Sequence, residues 1–159
     1  MGIHDEDLLS ELQSGIDRGD FRLIDNTDEW TERLSQSFPF ELNRIRWDKV
    51  TDRHWLEPLP RARGEEKTPE LFYARSAQRI AEFVEINFAR ERIELDEGAI
   101  WIGDSVDFAL EITPTVFLRN TTKLLSYPQH SYLVPPDVRW CLNYTQEDVL
   151  YFGRSGSKV

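Results

Sequence analysis

The sequence predicts a single α+β domain: N-terminal helices and one long helix packed on an antiparallel β meander. Three observations carry this expectation. Apolar residues recur at helical spacing up to about residue 91. Beyond residue 99 they alternate with polar residues in short runs. The runs of the last third are joined by connections too short for crossover helices, which leaves antiparallel pairing.

Asp5, Glu6 and Asp7 open the first helix, where negative charge suits the helix dipole. Leu9, Leu12 and Ile16 follow on one face, and Gly19 is the expected stop. Asn26 or Thr27 caps a second helix with a Trp30, Leu34, Phe38 stripe, ended by Pro39. Residues 42–50 read as a strand that turns Ile45 and Trp47 inward. Residues 51–69 carry three prolines and one glycine and read as a long loop. Pro69 then starts the longest helix, about 70–91, with Ala77, Ile80, Ala81, Val84 and Phe88 as its apolar stripe.

The second half reads as sheet. Strands are expected at 99–102, 106–112, 130–134, 138–144 and 149–152, with a helix from Thr113-Pro114 to Leu125. Residues 145–148 form the turn of a closing hairpin. The domain is drawn as 1–153, with 154–159 as a flexible tail.

The 159 residues suit one domain with a full core. One cysteine, Cys141, excludes an internal disulfide and any multi-cysteine zinc site. The acidic start lacks the apolar run of a signal peptide, and no stretch has the length of a membrane span. A reducing cytoplasm is the expected compartment, with neither membrane nor nucleic acid as partner. The net charge is −10, and ten acids against three bases fall within residues 1–39. A surplus of this sign favours a basic partner.

Candidate chemistry is sparse. Gly103-Asp104-Ser105 resembles the nucleophile turn of GDSL-type hydrolases, yet His130, the one later histidine, has Tyr127 three positions before it where that family places aspartate. Cys141 has Trp140 and Leu142 beside it, and a pair with His130 across neighbouring strands is the catalytic alternative; a small packing residue is the plainer expectation. His4, His54 and His130 are scattered and give no metal-ligand spacing, so no metal and no cofactor are expected. Arg44, Arg46, Lys49, Arg53, Arg61 and Arg63 lie near Trp47 and Trp55, a mixture that can hold a nucleic-acid strand. The acidity of the whole chain opposes that use, and internal pairing with the acidic N-terminal helices is preferred. Asp107 and Glu111 share a strand face about 13 Å apart by strand rise, too far for a glycosidase pair.

The closing segment YPQHSYLVPPDVRWCLNYTQEDVLYFG, Tyr127 to Gly153, resembles the C-terminal meander of small bacterial toxin-immunity proteins. The resemblance covers about a sixth of the chain, rests on Trp140, Tyr144 and Tyr151-Phe152-Gly153, and transfers no functional residue. It implies a non-enzymatic inhibitor of a basic cognate toxin. The expectation is therefore an acidic binding protein with Asp25, Asp28, Glu29, Glu32, Trp47, His54 and Trp55 at its interface and no catalytic residue. The alternatives are a small hydrolase or transferase using Cys141 or Ser105 with His130, and a structural or regulatory homo-oligomer subunit.

Overall fold

The structure, a computed structural model, describes residues 5–25, 27–56, 69–104, 106–125 and 130–156, with the backbone alone at 69–75 and 122. In chain order it runs α1 (Asp5–Arg18), β1 (Arg22–Ile24), α2 (Thr27–Ser37), β2 (Phe40–Glu41) and β3 (Arg44–Ile45). A 3-10 turn (Trp47–Lys49), β4 (His54–Leu56), α3 (Pro69–Glu91), β5 (Ala99–Gly103) and β6 (Ala109–Ile112) follow. The chain continues through α4 (Pro114–Arg119), α5 (Thr121–Leu124), β7 (Ser131–Val134), β8 (Trp140–Tyr144) and β9 (Leu150–Arg154). Seven strands form one antiparallel sheet in the order β1-β6-β5-β7-β8-β9-β4. The α+β class holds.

Local chemistry explains the element ends. Gly19 sits at φ +84° as α1 closes, with Asp20 N–H donating to Gly15 O at 2.8 Å and Gly19 N–H to Ile16 O at 3.1 Å. That is a Schellman end, and glycine is suited to its left-handed residue. Gly15 admits the Phe21 ring, which a Cβ there would meet at 2.0 Å. The segment expected as one helix from Thr113 to Leu125 is two helices. The Thr113 side chain accepts from Val116 N–H at 3.2 Å and caps α4; the Asn120 amide donates to Val116 O at 2.8 Å and ends it.

The packing differs from a helix-on-one-face arrangement: helices cover both faces of the sheet. On the first face α1, α3, α4 and α5 bury Leu12, Val84, Phe88, Phe117 and Leu124 against Trp101, Leu133, Leu142 and Phe152. On the second, α2 and the segment after it bury Trp30, Leu34, Phe38 and Trp47 against Ile100, Ile102, Tyr132 and Val134. The strand side chains therefore leave water on both faces. All five residues of β5 and of β8 are buried, which an alternating pattern alone does not foretell.

Three further elements depart from expectation. Residues 42–50 are not a strand: the chain turns back at Leu42 and Asn43, both left-handed at φ 54° and 63°, to form the small β2–β3 hairpin. Arg22–Ile24 and His54–Leu56, the latter expected in a loop, are the two edge strands of the sheet. Residues 57–68 of that loop lie outside the described residues, as does Asn26. At the other end, the drawn boundary at Gly153 falls inside β9. Arg154 pairs with Trp140, and Ser155 N–H donates to Arg139 O at 2.9 Å.

Candidate functional site

Strand register fixes which residues share a surface, since side chains opposite one another in an antiparallel pair point the same way. One row crosses the whole second face: Ile24, Ala109, Ile102, Tyr132, Asn143, Tyr151, Trp55. Trp47 lies across part of it. Its ring stacks on Tyr151 with centroids 5.2 Å apart and planes 5° from parallel, and its Nε1–H donates to Asn143 Oδ1 at 2.8 Å. Gly153 makes room beneath, because a Cβ there would lie 2.7 Å from the Trp47 ring. Trp47 is only 4% exposed. Expected at an interface, it belongs to the core, because three partners satisfy both its ring and its one donor.

Trp55 has the opposite fate. It is 50% exposed on the edge strand, beside half-buried Tyr151, with the Arg53 guanidinium 5.5 Å from its ring centroid. His54 cannot join it, for adjacent strand residues point to opposite faces. The His54 side chain lies on the α3 side of the sheet, where burial first, and then the charge of Arg90, lower its pKa. This removes His54 from the expected constellation.

Asp25, Asp28, Glu29 and Glu32 are all exposed at or on α2. Arg33 spans Glu29 Oε1 at 2.7 Å, Pro136 O at 3.1 Å and the Trp30 ring at 4.7 Å. Asp25, Asp28 and Glu32 make no ion pair with any described residue. The acids of α1 do not extend this surface, because α1 and α2 cover opposite faces. Asp5 faces inward altogether and accepts the Asp107 backbone N–H at 3.2 Å.

The bases of residues 44–49 do not pair with the N-terminal helices. Arg44 holds Glu147 at 2.9 Å, Arg46 holds Glu41 at 2.5 Å and Asp48 at 2.9 Å, and Lys49 stands 3.9 Å from Glu41. These contacts keep the Asp48 and Glu147 carboxyls below the usual carboxylate range, chiefly through hydrogen bonds from Arg46 and Arg44. The pairs rim a hollow of about 370 Å³ whose wall includes Trp47 and Tyr151. Leu42, at the hairpin tip, is 88% exposed beside it. Neither Leu42 nor Tyr151 is among the interface residues expected from the sequence. A Leu-Asn turn lacks the Asn-Gly signature of a tight hairpin, and Tyr151 gains its place only through register with Trp55.

Register also separates the groups of the catalytic alternative. Ser131 opposes Tyr144, so His130 falls level with Thr145, four residues along β8 from Cys141. At about 3.3 Å per residue, His130 and Cys141 stand about 13 Å apart along the strand direction. Cys141 is fully buried among apolar neighbours, and burial pushes its thiol pKa up, the reverse of what a nucleophile needs. His130 instead lies level with Asp104, whose N–H donates to His130 O at 3.0 Å, and burial lowers the imidazole pKa. Ser105 lies outside the described residues. Among the described residues no group of three or more His, Cys, Asp or Glu side chains is placed to hold a metal ion, and no helix is long and apolar enough to cross a membrane.

These surfaces define an antiparallel α+β protein whose sheet is packed on both faces and whose α2 carries Asp28 and Glu32 exposed and without an ion pair to a described residue. No family model matches the chain, and no curated protein matches its sequence.

Proposed function

We propose that the protein is a stoichiometric binding protein that engages a basic partner through the outer face of α2, with inhibition of a basic toxin as the sharpest form of that role. One observation carries the reading. Asp25, Asp28 and Glu32 stand without an ion pair to a described residue, while Arg44 and Arg46 on the same side of the molecule are held by local acids. Charge left unneutralised on a folded surface is available to a partner of opposite sign, where it raises association rate and sets orientation. Asp28 and Glu32 are one helical turn apart and present two carboxylates side by side.

Trp55 sits at the far edge of the same face. Six inter-strand steps of about 4.8 Å separate Ile24 from Trp55, so a partner touching both would span about 29 Å, the width of a standard protein interface. Trp55 would supply the apolar anchor and the α2 carboxylates the steering.

The test is charge reversal. Asp28→Lys with Glu32→Lys should weaken binding to a basic partner, sought first among the products of adjoining genes, by about tenfold or more, chiefly by slowing association. Stability should fall by no more than about 1 kcal/mol, the helix-dipole cost of a lysine in the first turn of α2, because neither side chain is buried or ion-paired to a described residue. Unaltered affinity in the doubly reversed protein would remove α2 from the interface.

A further inference from the structure

The opposite side of the molecule carries a second unneutralised acidic surface, and this one surrounds a depression. Where α3 ends and the chain turns toward β5 there is an open hollow of about 470 Å³, within the size range of ligand sites. It is lined by the almost fully buried Phe88 and Ile93, by half-buried Leu95, and by the exposed Glu85, Glu94 and Asp96. Ile86, 64% exposed, lies on the adjoining stripe of α3, three residues before Ala89 of the hollow's wall.

The charges here have an informative distribution. Glu91 and Glu97, which bracket the segment, are each answered by an arginine, Arg154 at 3.5 Å and Arg139 at 3.2 Å. Glu85, Glu94 and Asp96 form no ion pair with a described residue. Arg92, the cation nearest in sequence, is exposed, pairs with none of them and does not line the hollow. Half-buried Leu95 beside unanswered carboxylates matches one side-chain chemistry. A lysine or arginine lays an aliphatic stem on apolar surface and carries its charge at the tip.

We infer that this hollow is a docking site for a basic peptide segment of a partner protein, which seats a lysine or arginine stem against Leu95 with its charged head among Glu85, Glu94 and Asp96. The site goes beyond the α2 face and does not depend on it, since α3 and α2 cover opposite faces of the sheet.

The experiment is an NMR titration of the full chain with a hexalysine peptide, and with a peptide of equal charge built from the shorter-stemmed 2,4-diaminobutyric acid. Hexalysine should shift the amide resonances of Ala89, Ile93 and Leu95 and bind more tightly than the short-stemmed peptide. Glu94→Lys with Asp96→Lys, both at exposed positions, should weaken hexalysine about tenfold. Asp28→Lys with Glu32→Lys should change it by less than about twofold, because the α2 charges lie beyond a Debye length across the sheet. Equal affinity for the two peptides, shifts confined to α2, or an unaffected Glu94→Lys/Asp96→Lys protein would each overturn the assignment. A loss of hexalysine binding in the α2 variant alone would speak for the first surface and against this one.

Discussion

Trp47 shows how one side chain ties the second face together. It stacks on Tyr151, lies on Gly153, meets Phe38 at 5.9 Å between centroids and donates to Asn143. Trp47→Phe keeps most of the apolar contact and leaves Asn143 Oδ1 without its donor, so a loss of about 1–3 kcal/mol is expected in denaturant unfolding. Trp47→Ala adds a cavity and should cost about 3–5 kcal/mol. A change in the opposite direction is expected at Arg92. It takes the left-handed position, φ 58°, of the Schellman end of α3, with Ile93 N–H donating to Phe88 O at 2.8 Å. Arg92→Gly removes the Cβ penalty and should stabilise by about 1 kcal/mol; a lowered melting temperature would contradict the assigned strain. Val138 also has a left-handed backbone, at φ 54°, but its side chain is buried against the second core, so glycine there would lose more than it relieves. The two lowered imidazole pKa values, of His130 and His54, set a pH dependence of defined sign. The unfolded chain binds protons there more readily than the fold does. Stability therefore holds above the ordinary histidine value near 6.5 and declines as pH falls below it. His130→Phe should flatten that decline in urea titrations between about pH 6.5 and 5, above the range of the lowered Asp48 and Glu147 carboxyls.

At the scale of elements, legibility followed local chemistry. The end of α1 at Gly19, the start of α3 at Pro69 and the closing hairpin with its turn after Tyr144 are readable, because glycine reaches the left-handed region at little cost, proline fixes its own φ, and a four-residue polar break between two apolar runs marks a hairpin. The edge strands are not. Arg22–Ile24 and His54–Leu56 are three residues each, too short for a period of two to show, and they are strands only because β6 and β9 offer ladders beside them. The second buried face was equally hidden. Tyr132, Cys141 and Asn143 alternate with Leu133 and Leu142 as a half-solvated strand would, and only the position of α2 turns them inward. The interface expectation erred for the same reason at Trp47 and His54: sequence gives residue type, but register gives the face. Hydrogen exchange offers a check at this scale. Amides of β5, β7 and β8, central and covered on both sides, should exchange slowest, and those of β1 and β4 fastest among the strands. A slow β4 would mean that its outer edge is paired.

For the whole molecule the organising fact is the wrap of the N-terminal segment around the sheet. α1 packs on one face, β1 borders the sheet, and α2 returns on the other face, so the ten acids of residues 1–39 are divided between two sides. A net charge of −10 becomes two separated acidic surfaces on a core that is apolar on both faces of its sheet. The account stands on recognition by these carboxylates. Its most direct test is the affinity of the full chain for basic proteins screened as partners, followed across salt concentration. A one-to-one complex whose affinity falls steeply as salt screens the α2 carboxylates is the predicted result. No complex at low salt, or an affinity equal at low and high salt, would contradict it.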